Sequence, residues 1–99
     1  MQYKHEYGVE LEQLLRKVGR DKNTKFMREF LFDLLTPAEY RDLAVRWQIM
    51  KMLANKVPHR DISKKLKVGV ATVSRGVREL ANKNGGFRLA VDKFLKPSR

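Results

Sequence analysis

Apolar residues recur every three or four positions along almost the whole chain, and strand-like alternation is nearly absent. That spacing puts apolar side chains on one face of a helix, so the chain is constrained to pack helices on helices. Val9, Leu11, Leu14, Leu15 and Val18 mark a first helix over about 6–18, and "GRDKN" (19–23) breaks it with a glycine and polar residues. Phe26, Met27, Phe30, Leu31, Leu34 and Leu35 give a second helix a wide apolar face. "TPAE" (36–39) is a strong helix start. Thr36 suits the N-cap, Pro37 the first helical position, and Glu39 closes a capping box. The helix that follows runs to about Asn55. Leu43, Val45, Trp47, Ile49, Met50, Met52 and Leu53 are spread around it, which predicts burial on more than one side. Pro58 opens "HRDISKKL", with Ile62 and Leu66 inward, and "KVG" (67–69) makes a tight turn. In "VATVSRGVREL" (70–80), Val70, Val73, Val77 and Leu80 share a face. "NKNGG" (82–86) separates it from a last helix over about 87–96, which Pro97 ends.

The expected fold is therefore all-α: six helices in a single domain spanning residues 1–99, with a helix-turn-helix at about 58–81. A domain this small buries only roughly 60–65% of its unfolded surface, so it is marginal alone. Its outer helices carry more apolar surface than one subunit can cover, and a partner subunit is the simplest cover.

Charge narrows the partners. The chain has 22 Lys+Arg against 11 Asp+Glu, a net charge of +11. On a foldable domain this points to a polyanion, nucleic acid first, with an anionic membrane surface as the rival. No apolar run approaches the roughly 18 residues of a membrane span, and the N-terminus lacks a signal-peptide plan. A cytoplasmic protein without a membrane partner is expected. There is no cysteine, and His5 and His59 lie in different elements, so no metal site is expected. His59, Asp61 and Ser74 lack the glycine-rich nucleophile turn a triad would need, and no phosphate-binding glycine loop is present, so no enzyme is expected.

The helix-turn-helix carries the functional reading. Between residues 60 and 83 seven basic residues (Arg60, Lys64, Lys65, Lys67, Arg75, Arg78, Lys83) face two acidic ones (Asp61, Glu79), a local charge of +5 from +7 and −2. Ser63 is small enough for the second helix to come close. Ala71, Thr72, Ser74 and Arg75 project from the second helix toward base edges and phosphates in a major groove. His59, Arg60, Lys64 and Lys65 contribute phosphate or base contacts from the first helix, and Val70 completes the DNA-facing set. A plain helical hairpin with a solvated basic face is the bland reading of the same pattern. Two positions are unusual. Lys67 stands where the turn usually holds glycine, so either the turn is altered or a left-handed lysine is tolerated at about 1 kcal/mol. Gly76 interrupts a helix at a cost of roughly 1 kcal/mol relative to alanine, which suggests that something approaches its backbone closely.

Residues 24–96, through "LLTPAEYRDLAVRWQIMKMLA" and "GVATVSRGVREL", resemble the tryptophan repressor family. The resemblance implies an intertwined homodimer whose two helix-turn-helix heads read a palindromic double-stranded operator as a transcriptional repressor. It also implies a corepressor, L-tryptophan, and no other cofactor. Arg46 and Arg75 would flank the indole, Gly76 would let the ring lie against the helix backbone, and Thr36 would belong to the partner subunit's part of the pocket. This chain departs from the family where Glu79 replaces a serine near the ligand's amino group, Asp33 replaces a pocket leucine, and Pro58 replaces a capping serine. The alternatives are a relative with no ligand or a different one, and, from another class, a basic RNA-binding protein.

Overall fold

A computed structural model describes residues 5–95, and the described residues contain six α-helices and no strand. The helices are α1 (Gly8–Arg20), α2 (Thr24–Leu34), α3 (Pro37–Ala54), α4 (His59–Leu66), α5 (Val70–Ala81) and α6 (Gly86–Phe94). Pro97 lies outside the described residues. The chain divides into two compact units at Tyr40/Arg41, within α3.

In the first unit α1 packs on α2. The expected break at Gly19 is not there: α1 continues to Arg20. The stop falls at Asp21, whose backbone turns extended and whose carboxylate accepts from the Asn23 N–H at 2.8 Å. Asn23 in turn caps α2, its side-chain oxygen accepting from the N–H groups of Lys25 and Phe26. A single glycine in a helix costs less than the new cap at Asn23 recovers, so the polar side chains end the helix and not the glycine. Val18 is buried, whereas Val9, Leu11, Leu14, Leu15, Phe26, Phe32 and Leu34 remain exposed.

The start of α3 forms the expected capping box. The Thr36 N–H donates to Glu39 Oε1 at 2.9 Å, and the Glu39 N–H donates to Thr36 Oγ1 at 3.1 Å.

The second unit holds a continuous apolar core. Ile49 and Met50 of α3, Ile62 of α4, Val73 of α5 and Val91 of α6 are buried together, and Trp47, Leu53, Leu66, Val68 and Phe87 pack around them half-buried. Each fully buried side chain of this kind stabilises the fold by roughly 1.5–3 kcal/mol. Val70 is the exception to the expected inward face of α5, at 62% exposure. It is the first residue of the helix, so its side chain projects past the end of α4 and finds nothing to pack on.

Both turns before the reading helices close with a lysine in the left-handed region. Lys67 has φ 56° and ψ 46°, so the cost is borne and the turn is unaltered. Lys56, at φ 61°, does the same after α3, a feature the sequence does not announce. In each case a six-residue loop bond satisfies a helix-end carbonyl: Val68 N–H to Ser63 O (3.1 Å) and Val57 N–H to Met52 O (2.9 Å).

Candidate nucleic-acid interface and ligand pocket

The α4–turn–α5 segment is a helix-turn-helix held by apolar contact. Ile62 and Val73 are completely buried. Ser63 has a second task beyond its small size. Its hydroxyl donates to the Val68 carbonyl at 2.6 Å, which fastens the turn. Ser63 is half-buried, as is Ser74.

The other expected DNA-facing residues form an open basic surface. His59, Arg60, Lys64 and Lys65 on α4, and Val70, Ala71, Thr72 and Arg75 on α5, are all exposed. Among the described residues only two ion pairs within 4.0 Å occur, Arg75–Glu79 and Arg88–Asp92. The charges of Arg60, Lys64 and Lys65 are thus available to phosphates. The start of α5 adds to this surface. Gly69 caps it with no side-chain hydrogen bond, which leaves backbone N–H groups of the first turn pointing outward, an arrangement that suits an anion.

Behind this surface lies a cavity of about 240 Å³ between α3 and α5. Val45, Ile49, Met50, Val68 and Phe87 give it apolar walls, and Asp42, Arg46, Thr72, Arg75 and Glu79 give it polar ones. Four of the five expected ligand-site residues, Arg46, Arg75, Gly76 and Glu79, therefore come together. Thr36 caps α3 in the first unit, and Asp33 is exposed on α2 in that unit. The Arg75 Nε–H donates to Glu79 Oε2 at 3.2 Å along one face of α5.

Asp42 and Phe87 are pocket residues that sequence reasoning missed. Asp42 precedes Arg46 by one helical turn, so its shared face was readable from spacing. Phe87 comes from α6, and no local signal links it to the pocket.

Gly76 is buried where α5 crosses α3. A Cβ there would stand 3.0 Å from Ile49 Cγ2 and 3.1 Å from Met50 Cε. The close approach expected at this glycine is therefore made by the protein's own core, and the same residue also borders the cavity.

Thr72 and Arg75 belong both to the exposed face of α5 and to the cavity lining. A molecule in the cavity would touch the helix that carries the candidate base contacts.

The description "Trp repressor protein" is that of the family whose pattern matches residues 9–95. The chain is similar to a Trp operon repressor homolog of Vibrio cholerae, 32% identical over 89 residues, covering 89% of this chain and 86% of the relative. A Trp operon repressor homolog of Vibrio parahaemolyticus is 31% identical, over 85% of this chain and 82% of its own length. An uncharacterized protein of Bacillus subtilis, YerC, is 30% identical, over 87% of this chain and 83% of its own. No solved structure matches significantly.

Proposed function

The chain belongs to the Trp repressor protein family, and from that premise we propose that it is a sequence-specific transcriptional repressor with a ligand-responsive pocket. Membership makes it a DNA-binding transcriptional regulator, in a family that is regulatory and not enzymatic. No helix among the described residues is long and apolar enough to cross a membrane.

The observation that carries the finer reading is the unpaired basic surface of α4 and α5 around an intact helix-turn-helix. Arg60, Lys64, Lys65 and Ser74 hold phosphates and set the register, while Ala71 and Thr72 meet base edges or a thymine methyl. His59, Ser63, Val70 and Arg75 complete the contact surface. The protein acts in the cytoplasm as a homodimer on a palindromic operator. The exposed apolar side chains of α1 and α2 support the dimer, because a solvated subunit would be marginal with them uncovered. Helix-turn-helix dimers, tryptophan repressors among them, present their heads one duplex turn apart, about 34 Å.

The pocket gives this regulator its input. L-Tryptophan, the corepressor the family resemblance implies, would stack between Arg46 and Arg75. It would favour the DNA-competent state only by binding that state more tightly. The Arg75–Glu79 pair favours a second reading, in which the same regulator uses a ligand other than L-tryptophan, or none.

Selection of binding sites from random duplex DNA, followed by footprinting with and without millimolar L-tryptophan, tests both levels. A two-fold symmetric site supports the repressor reading, and its strengthening by L-tryptophan supports the corepressor. Binding to structured RNA with no duplex preference would overturn it.

A further inference from the structure

We propose that Glu79 is the ammonium-recognising group of the α3–α5 pocket, and that the pocket's ligand is a zwitterionic amino acid with an apolar side chain. The inference rests on the reading of this cavity as a ligand site. It concerns what that site selects.

The charged lining is balanced. Asp42 and Arg46 stand one helical turn apart on α3, and Arg75 and Glu79 stand one turn apart on α5. Two guanidiniums and two carboxylates therefore face one small cavity, with a formal sum of zero. A pocket built for an anion would present its arginines without acids. A pocket built for a cation would present acids without arginines. A ligand bearing both charges is the one that leaves neither set uncompensated.

The two ends of the ligand can be assigned. On α5, Glu79 uses Oε2 to accept from Arg75 Nε–H. Its other oxygen, Oε1, has room for a further donor, and a carboxylate accepts several. On α3, Arg46 makes no ion pair within 4.0 Å among the described residues, so its planar fork can take a carboxylate at two oxygens. The ammonium therefore goes to Glu79 and the carboxylate to Arg46. The apolar side chain lies against Ile49, Met50 and Phe87.

The Arg75–Glu79 pair does not close the site. Its side chains are 59% and 41% exposed, and ion pairs in that setting are weak and readily rearranged. Their effect is electrostatic. A ligand carrying only a carboxylate meets Glu79 and Asp42 with nothing to offer them.

The test is calorimetric titration of the full chain with three amino acids, L-tryptophan, L-phenylalanine and L-leucine, each beside its deaminated acid: indole-3-propionate, 3-phenylpropionate and 4-methylpentanoate. At least one amino acid should bind, at least tenfold more tightly than its deaminated partner. Glu79→Gln keeps the side chain's size and removes its charge, and it should cut that preference at least tenfold. Glu79→Asp should restore part of it. A deaminated acid that binds wild-type protein as tightly as its amino acid would overturn the assignment, as would a preference unchanged in Glu79→Gln. Absence of heat with all six compounds would instead overturn the ligand-site reading itself, and the assignment with it.

Discussion

Gly76 and Ile49 meet so closely that a methyl group on the glycine would stand 3.0 Å from Ile49 Cγ2. The contact sets how near the reading helix lies to α3, the helix that forms the far wall of the pocket. Gly76→Ala would gain about 1 kcal/mol of helix propensity. Against this, Ile49 is 2% exposed and branched at the contact atom, and Met50 beside it is 1% exposed. Overpacking of a closed core costs typically 1–3 kcal/mol. The expected outcome is a net loss of about 1 kcal/mol, read as a lower midpoint in thermal or urea unfolding. A raised midpoint would mean that α3 and α5 move apart freely.

Lys67 sits at φ 56° and ψ 46°, where a side chain is disfavoured. Lys67→Gly removes a strain of about 1 kcal/mol, partly offset by the added freedom of the unfolded chain. The unfolding midpoint should rise by a few degrees, on the scale of roughly 4–8 °C per kcal/mol for a domain of this size. No rise would show that the turn tolerates lysine without strain.

The reciprocal bonds of Thr36 and Glu39 satisfy two backbone N–H groups at the start of α3. Thr36→Ala removes one of them and should cost about 1 kcal/mol. Hydrogen exchange should quicken at the first turn of α3 before it quickens in the core. Uniform exchange along the helix would argue that packing, and not the cap, holds that end.

Lys64 and Thr72 should fail in different ways. Lys64 is an exposed cation without a partner among the described residues, on the helix that would cross the phosphates. Lys64→Ala should weaken binding about equally for all duplexes and lower the slope of log K against log salt by about 1. Thr72→Ala should leave that slope alone and relax preference at one base position, worth about 1–3 kcal/mol. A preference change in the lysine variant would contradict its phosphate role.

Ser63 ties the turn by donating to the Val68 carbonyl at 2.6 Å. Its replacement by alanine leaves that carbonyl without its donor, which costs about 1–3 kcal/mol where water cannot substitute. A midpoint unchanged in urea would place the turn's stability in the Ile62–Val73 contact alone.

The six helices follow from local chemistry, and local chemistry is written along the chain. A capping box needs two residues three apart, and a buried stripe needs a period of 3.6, so Thr36–Glu39 and Ile62–Leu66 were readable directly. The break at residues 19–23 shows where such reading slips. Gly19 is compatible with a helix, and only the caps at Asp21 and Asn23 decide the end. Gly76 announced a close approach but not its partner. Ile49 and Met50 lie more than 25 residues away, and nothing local encodes which helix face will arrive. The same holds for Val70, apolar and in register yet exposed because α4 ends short of it. It holds for Phe87, brought to the pocket by α6. Hydrogen bonds within a turn are settled by neighbours in sequence. Which side chains face one another across a helix pair is settled by packing, and packing depends on the whole core at once.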